Sequence, residues 1–302
     1  MPSSRMRRAL PWVTLGLLTL GVGAGAGLGI AGQNSTPAHL TATGQISRIM
    51  AATLRAKTAQ FTYSSSSTST NRLLRGSTAG SGEVNFVRKV MRTVERDRSI
   101  GFSGPTVSTE KPVVQDNVMD DVWIGRTEYF RFGSDNDLNS PWLKGVTWPK
   151  NSFGPLGALQ EVGPLGELSL DEGVPGLRVE AAVSGTVHGV ETTEYQIVVP
   201  TCGASTPSNG FSETTGPIQL WVDGQGRLVQ ARQSITEDIT KNAHVGDAQA
   251  GEDFPVGRVT SVSTIDLGDF GAPAAIAAPP VVITHSSGGE EGFATSTWRS
   301  CR

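Results

Sequence analysis

Residues 217–234 read Pro217-Ile218-Gln219-Leu220-Trp221-Val222-Asp223-Gly224-Gln225-Gly226-Arg227-Leu228-Val229-Gln230-Ala231-Arg232-Gln233-Ser234. Two β-rich runs flank a turn signal at 223–226, and the glycines there supply the positive φ that a tight reversal needs. Ile218, Leu220 and Val222 alternate with Gln219, Trp221 and Asp223, the period-two pattern of a strand with one buried face. The stretch predicts a hairpin with Trp221 on the face opposite the three aliphatic residues. It carries no plausible catalyst, so architecture must supply the functional reading.

Working outward, the strand pattern recurs along most of the chain. Phe61 and Tyr63 alternate with Thr62 ahead of a Ser/Thr run to Thr70, which predicts a strand. Residues 76–82 are rich in Gly and Ser and read as a turn. Val84, Phe86, Val90 and Val94 at even spacing predict another strand over 83–95. Strand pairs are expected over 111–121 with 122–132, and over 179–199 about a His188-Gly189 turn, with a last strand over 259–267. Residues 202–216 and 237–253 read as loops. One helix is expected over 45–57: Ile46, Ile49, Met50 and Leu54 form one apolar stripe, with Thr43 as its cap. Strands do not alternate with long helices, so the expected class is α+β, mainly antiparallel β: a curved, half-open β-barrel with a helix lid.

The ends set the compartment. Arg5, Arg7 and Arg8 precede an uncharged run over 9–32, leucine-rich and then Gly/Ala-rich, with a small-x-small site at Ala24-Gly25-Ala26. Residues 1–32 therefore read as a signal peptide or an N-terminal membrane anchor; the run is long enough to span a bilayer if it is not cut. Residues 33–42 read as a linker, 43–283 as one domain and 284–302 as a tail. Residues 1–32 hold three of the 25 Lys+Arg and none of the 28 Asp+Glu, so the remainder carries a net charge of −6. That disfavours nucleic acid and basic contact with anionic lipid. Cys202 and Cys301 both lie in the exported part, where a disulfide between them is the preferred reading over two separate thiols.

No nucleophile elbow, zinc-protease helix, phosphate-binding loop or Cys-x-x-Cys occurs. His39, His188, His244 and His285 are scattered, and His188 reads as a turn residue. Asp135-Asn136-Asp137 imitates a calcium loop but lacks the glycine and the distal glutamate, so no metal or cofactor is expected. The acidic pairs Asp120-Asp121 and Glu290-Glu291 read as solvated charges. The chain has only three Tyr, ten Phe and six Trp. The aromatics concentrate in the expected strands, as a core or as the lining of an apolar cavity.

Three segments carry a family resemblance: 189–197 (Gly-Val-Glu-Thr-Thr-Glu-Tyr-Gln-Ile), the hairpin 218–229, and Asp269-Phe270-Gly271-Ala272-Pro273 with Ala278-Pro279-Pro280. In this order they resemble the C-terminal half of the LolA-like, LppX/LprG-type envelope lipoproteins of actinobacteria. The resemblance implies an apolar cavity between sheet and helix, and its expected lining is Phe61, Tyr63, Phe86, Tyr129, Tyr195, Ile197, Ile218, Leu220 and Val222. It further implies a non-enzymatic, exported protein that binds or carries a lipid or acyl chain at the cell envelope. The family's acylated cysteine is absent. The alternative is an envelope interaction or sensory module with a protein partner, tethered to the membrane through 9–32.

Overall fold

A computed structural model describes residues 42–70, 75–101, 113–133, 138, 140–147, 159, 165, 177–198, 211–239, 244–245, 248–249, 257–280 and 282–284. The signal or anchor segment, the calcium-like loop, His39, His285, Glu290-Glu291, Cys202 and Cys301 lie outside them. The elements are α1 (Ala42–Arg55), β1 (Thr58–Ser69), β2 (Arg75–Asn85), β3 (Val90–Gly101), β4 (Val113–Ile124), β5 (Thr127–Gly133), β6 (Trp142–Thr147), β7 (Arg178–Val187), β8 (Val190–Val198), β9 (Phe211–Thr215), β10 (Ile218–Asp223), β11 (Leu228–Ile239), β12 (His244–Val245), β13 (Ala248–Gln249), β14 (Gly257–Gly268) and β15 (Val282–Thr284). One sheet runs β15-β6-β5-β4-β3-β2-β1-β14-β11-β10-β8-β7, with β9 paired to β11 off this path. All its neighbours are antiparallel except β15 on β6. Its two ends do not pair, so the sheet is open.

The sheet curls. Trp123 on β4 and Ile197 on β8 are seven strand steps apart, yet both belong to one buried cluster with Ile46, Ile49 and Met50 of α1. A flat sheet would hold those strands roughly 34 Å apart. One cluster holds both with α1 only if the sheet curls.

The helix and the hairpin meet as the sequence leads one to expect. Ile218, Leu220 and Leu228 are fully buried with Ile46. Trp221 pairs with Gln230 and Glu194 on the other face and is half-buried. Asp223 organises the turn: its carboxylate accepts from the backbone N–H of Gln225 and of Arg227, both at 2.9 Å, and pairs with the Arg227 guanidinium at 2.7 Å. The helix begins before Thr43, which is inside it and not a cap, and ends where Lys57 turns left-handed at φ 69°. Buried Thr53 joins the two elements. Its hydroxyl donates to Ile49 C=O at 2.9 Å and accepts from Leu228 N–H at 2.9 Å.

Two expectations are corrected. Residues 76–82 are part of β2 and do not form a turn; the turn lies at 86–89, inside the strand expected over 83–95. The glycines have a packing reason. Gly82 is paired with Phe61 and Gly80 with Tyr63, and the two rings lie across them. A Cβ on Gly82 would stand 2.5 Å from Phe61 Cζ and 2.2 Å from Arg92 C=O, and one on Gly80 would stand 2.2 Å from Tyr63 Cε1. A glycine in a strand marks this kind of close approach. Likewise, the loop expected over 202–216 contains β9, and the one over 237–253 contains the small β12–β13 pair.

Two variants test this packing by thermal unfolding. Gly82→Ala should cost about 1–3 kcal/mol or more by overpacking, because one of its neighbours is backbone and cannot swing away. Thr53→Val keeps the side-chain shape but strands the buried Leu228 N–H, and should cost about 1–3 kcal/mol.

Candidate functional site

Strand alternation divides the inner, helix-bearing face into two parts. Under α1 it is apolar: Ile197, Ile218, Leu220, Leu228, Ala231 and Ile265 are fully buried there. Beyond the helix it turns polar. Moving along β1, Phe61 and Tyr63 give way to Ser65, Ser67 and Ser69, which are half-buried or buried while Ser64, Ser66 and Thr68 are exposed. Ser65 and Ser67 hydrogen-bond to Ser263 and Ser261 of β14 at 3.0 and 2.8 Å. Gln233 on β11 shares this row and is buried, with no partner for Nε2.

Four carboxylates stand on the same face of β3, β4 and β5. Register places them: Tyr63, Gly80, Glu95, Met119 and Phe132 form one cross-strand row, and Phe61, Gly82, Thr93, Asp121 and Phe130 form the next. Asp97 pairs with Thr78, and Glu128 with Trp123. The Tyr63 hydroxyl donates to Glu95, and Thr78 donates to Asp97 at 3.1 Å. Asp121 is 5% exposed, and its Oδ1 has no hydrogen-bond partner among the described residues.

Burial shifts these groups in the direction that disfavours charge. It pushes Asp121 well above the usual carboxylate range, helped by the charge of Glu128, while a hydrogen bond from Trp123 opposes the rise. It pushes Glu128 up to about 7, against a hydrogen bond with Asp121. Glu95 is raised by burial and by Asp97, with the Tyr63 hydroxyl opposing. Tyr63 is raised by burial and by Glu95.

The opposite face carries the counterpart. Asp120, 0% exposed, takes Arg92 at 3.1 Å and Arg131 at 2.7 Å, and Arg131 stacks over Trp142. Val90 and Val122 there are covered by Ile276. Asp120 and Asp121 are thus both buried, each toward a different face, which corrects their reading as solvated charges. The missed signal was the run Glu95-Arg96-Asp97-Arg98, whose alternation in a strand sends both acids one way and both arginines the other.

Of the nine residues expected to line a cavity, Phe61, Tyr63, Tyr195, Ile197, Ile218, Leu220 and Val222 share the inner face and one cluster. Phe86 sits in the β2–β3 turn, packed against that cluster. Tyr129 faces the other way, against Val90, Val122 and Ile276. A cavity of about 610 Å³ lies against β1, β2 and β14 beneath the β7–β8 turn, where His188 bonds to Asp266 at 2.9 Å. Phe61 alone of the nine lines it. A second, of about 420 Å³, lies between residues 56–58, Asn85, Val87, Arg88 and residues 271–274, and none of the nine lines it. Among the described residues no three acidic, histidine or cysteine side chains converge on a metal position, and no helix is long and apolar enough to cross a membrane.

A raised carboxyl costs stability once it ionises, so the sign of its linkage is fixed: stability falls as pH rises through the folded-state value. The unfolding temperature should therefore drop between about pH 4.5 and pH 7 through Glu128 and level off above that. Glu128→Gln should flatten that slope, and an unchanged slope would rule the ionisation out.

No family model matches the chain, and neither does any curated protein. Solved structures that align with it include a LolA superfamily protein from Nitrosomonas europaea (9% identity, 76% of this chain and 92% of that one, TM-score 0.21). The MucA/MucB complex of Pseudomonas aeruginosa aligns at 12% identity over 76% and 95%, TM-score 0.26. A DUF1329 family protein from Desulfovibrio piger aligns at 10% over 76% and 90%, TM-score 0.21. Likeness this remote carries no functional weight, and the open, curved antiparallel sheet packed on α1 stands on its own strand order.

Proposed function

We propose that the chain is an exported, non-catalytic binding protein that works through the inner face of its curved sheet and recognises a partner protein there. One observation carries this reading: the inner face continues past α1 as a polar surface across the adjacent strands β11, β14 and β1–β5, with carboxylates on β3, β4 and β5. An acyl chain gains nothing from such a surface, because its binding energy comes from removing apolar area from water. A protein partner can supply the hydrogen-bond donors that buried carboxylates require. The basic n-region and apolar run over 1–32 support export, by cleavage or with retention as an anchor.

A second reading keeps the hydrophobic ligand. What favours it is the contiguous patch from Ile197 to Leu267 under α1, which would become a lipid-sized apolar trough if α1 lifted. The outcomes separate cleanly. A photo-crosslinking phenylalanine analogue in place of Phe132, which is 45% exposed at the rim of the inner face, should yield protein adducts in intact cells. The same analogue at Ser66 on the outer face should not. Lipid adducts, or a lipid retained at one copy per chain in native mass spectra, would overturn the partner reading in favour of the second.

A further inference from the structure

We infer that the acidic patch formed by Glu95, Asp97, Asp121 and Glu128 is a binding site for basic side chains of an extended peptide. This rests on the partner-recognition reading and names the chemistry that the partner must bring.

Charge is the first ground. The arginines of β3, Arg92, Arg96 and Arg98, alternate with Thr93, Glu95 and Asp97, and so point away from the patch. Arg131 and Lys144 follow the outward rows of β5 and β6, and Arg75 that of β2. By this register no lysine or arginine of β1–β6 stands on the inward rows, so four acids share a face without a strand-borne counter-charge. Asp121 is the second ground. Its Oδ1 is buried and, among the described residues, accepts no hydrogen bond, although more than nine-tenths of buried polar groups find a partner. An N–H donor from outside the sheet would satisfy it.

Spacing selects the carrier. The acids do not converge on one point as ligands of a metal ion would. Glu95 and Asp97 stand two residues apart along β3, while Asp121 and Glu128 lie on the next two strands. The same-face repeat of a strand is roughly 6.6 Å, which is also the repeat of alternate side chains in an extended peptide. Arginine suits the pattern best, since its planar fork can bridge two carboxylates. The protonated acids then have a defined role. A bound cation draws Asp121 and Glu128 back toward ionisation, so binding near neutral pH releases protons to the buffer.

The test is calorimetric titration of the full exported chain at pH 7 with a short peptide of alternating alanine and arginine. Saturable binding is expected, with an apparent enthalpy that changes with the buffer's ionisation heat because protons leave the site. The double variant Glu95→Gln with Asp97→Asn should bind about tenfold more weakly or worse, the scale of a lost charge-assisted contact. The double variant Asp116→Asn with Glu191→Gln removes the same charge from the outer face of β4 and from β8, and should change affinity less than about twofold, within the range of exposed pairs. If the inner double variant does not fold, half-exposed Asp97→Asn alone carries the comparison. Equal weakening by both doubles, no saturation, or no proton release would overturn the inference. Protein adducts at Phe132 alongside any of these would leave the partner reading standing and remove only the basic-peptide assignment.

Discussion

Helix α1 covers part of a sheet face that is too large for it. The 14 residues of α1 extend about 21 Å, whereas twelve strands in sequence would measure roughly 50 Å across if flat. Curling the sheet around the helix resolves part of the mismatch and produces the single cluster that runs from Trp123 to Ile197. Beyond the reach of α1 the described residues of the inner face turn polar. The change from aliphatic residues to serines, glutamine and carboxylates follows from how far one helix can reach.

The two halves are held by different chemistry. Under α1 the fully buried aliphatic residues supply the stability, each worth about 1.5–3 kcal/mol for removal from water. Thr53 fixes where the helix sits, because a hydroxyl that both donates to Ile49 and accepts from Leu228 allows one placement of helix against hairpin. Phe61 and Tyr63 span the boundary, with their rings across Gly82 and Gly80 and the Tyr63 hydroxyl on Glu95. Beyond them the carboxylates are a cost that the fold carries, since burial without a strand-borne counter-charge holds them short of ionisation. Such a cost is common where a surface is arranged for a ligand instead of for stability.

The outer face shows how the same chain treats a buried acid when stability is the aim. Asp120 is fully enclosed, yet two guanidiniums meet it and Trp142 flanks one of them. Asp121, its immediate neighbour, faces the other side and receives neither. Adjacent residues in a strand live in opposite environments, so identical side chains meet guanidiniums on one face and other carboxylates on the other.

By itself, the sequence determined the local elements with strong periodicity: the hairpin about 223–226 with Trp221 turned outward, the amphipathic helix through Ile46 and Met50, the His188-Gly189 turn, and an antiparallel class. Period-two and period-3.6 spacing are local properties, and neither depends on what the element meets. Only the tertiary structure decided the rest. That 76–82 is strand depends on two aromatic rings from a neighbouring strand filling the space its glycines leave. That Tyr129 leaves the inner face and Asp121 joins it depends on register, which one residue of slip would reverse. The character of the candidate site depends on the reach of α1, a length compared with a width, and no stretch of sequence contains both.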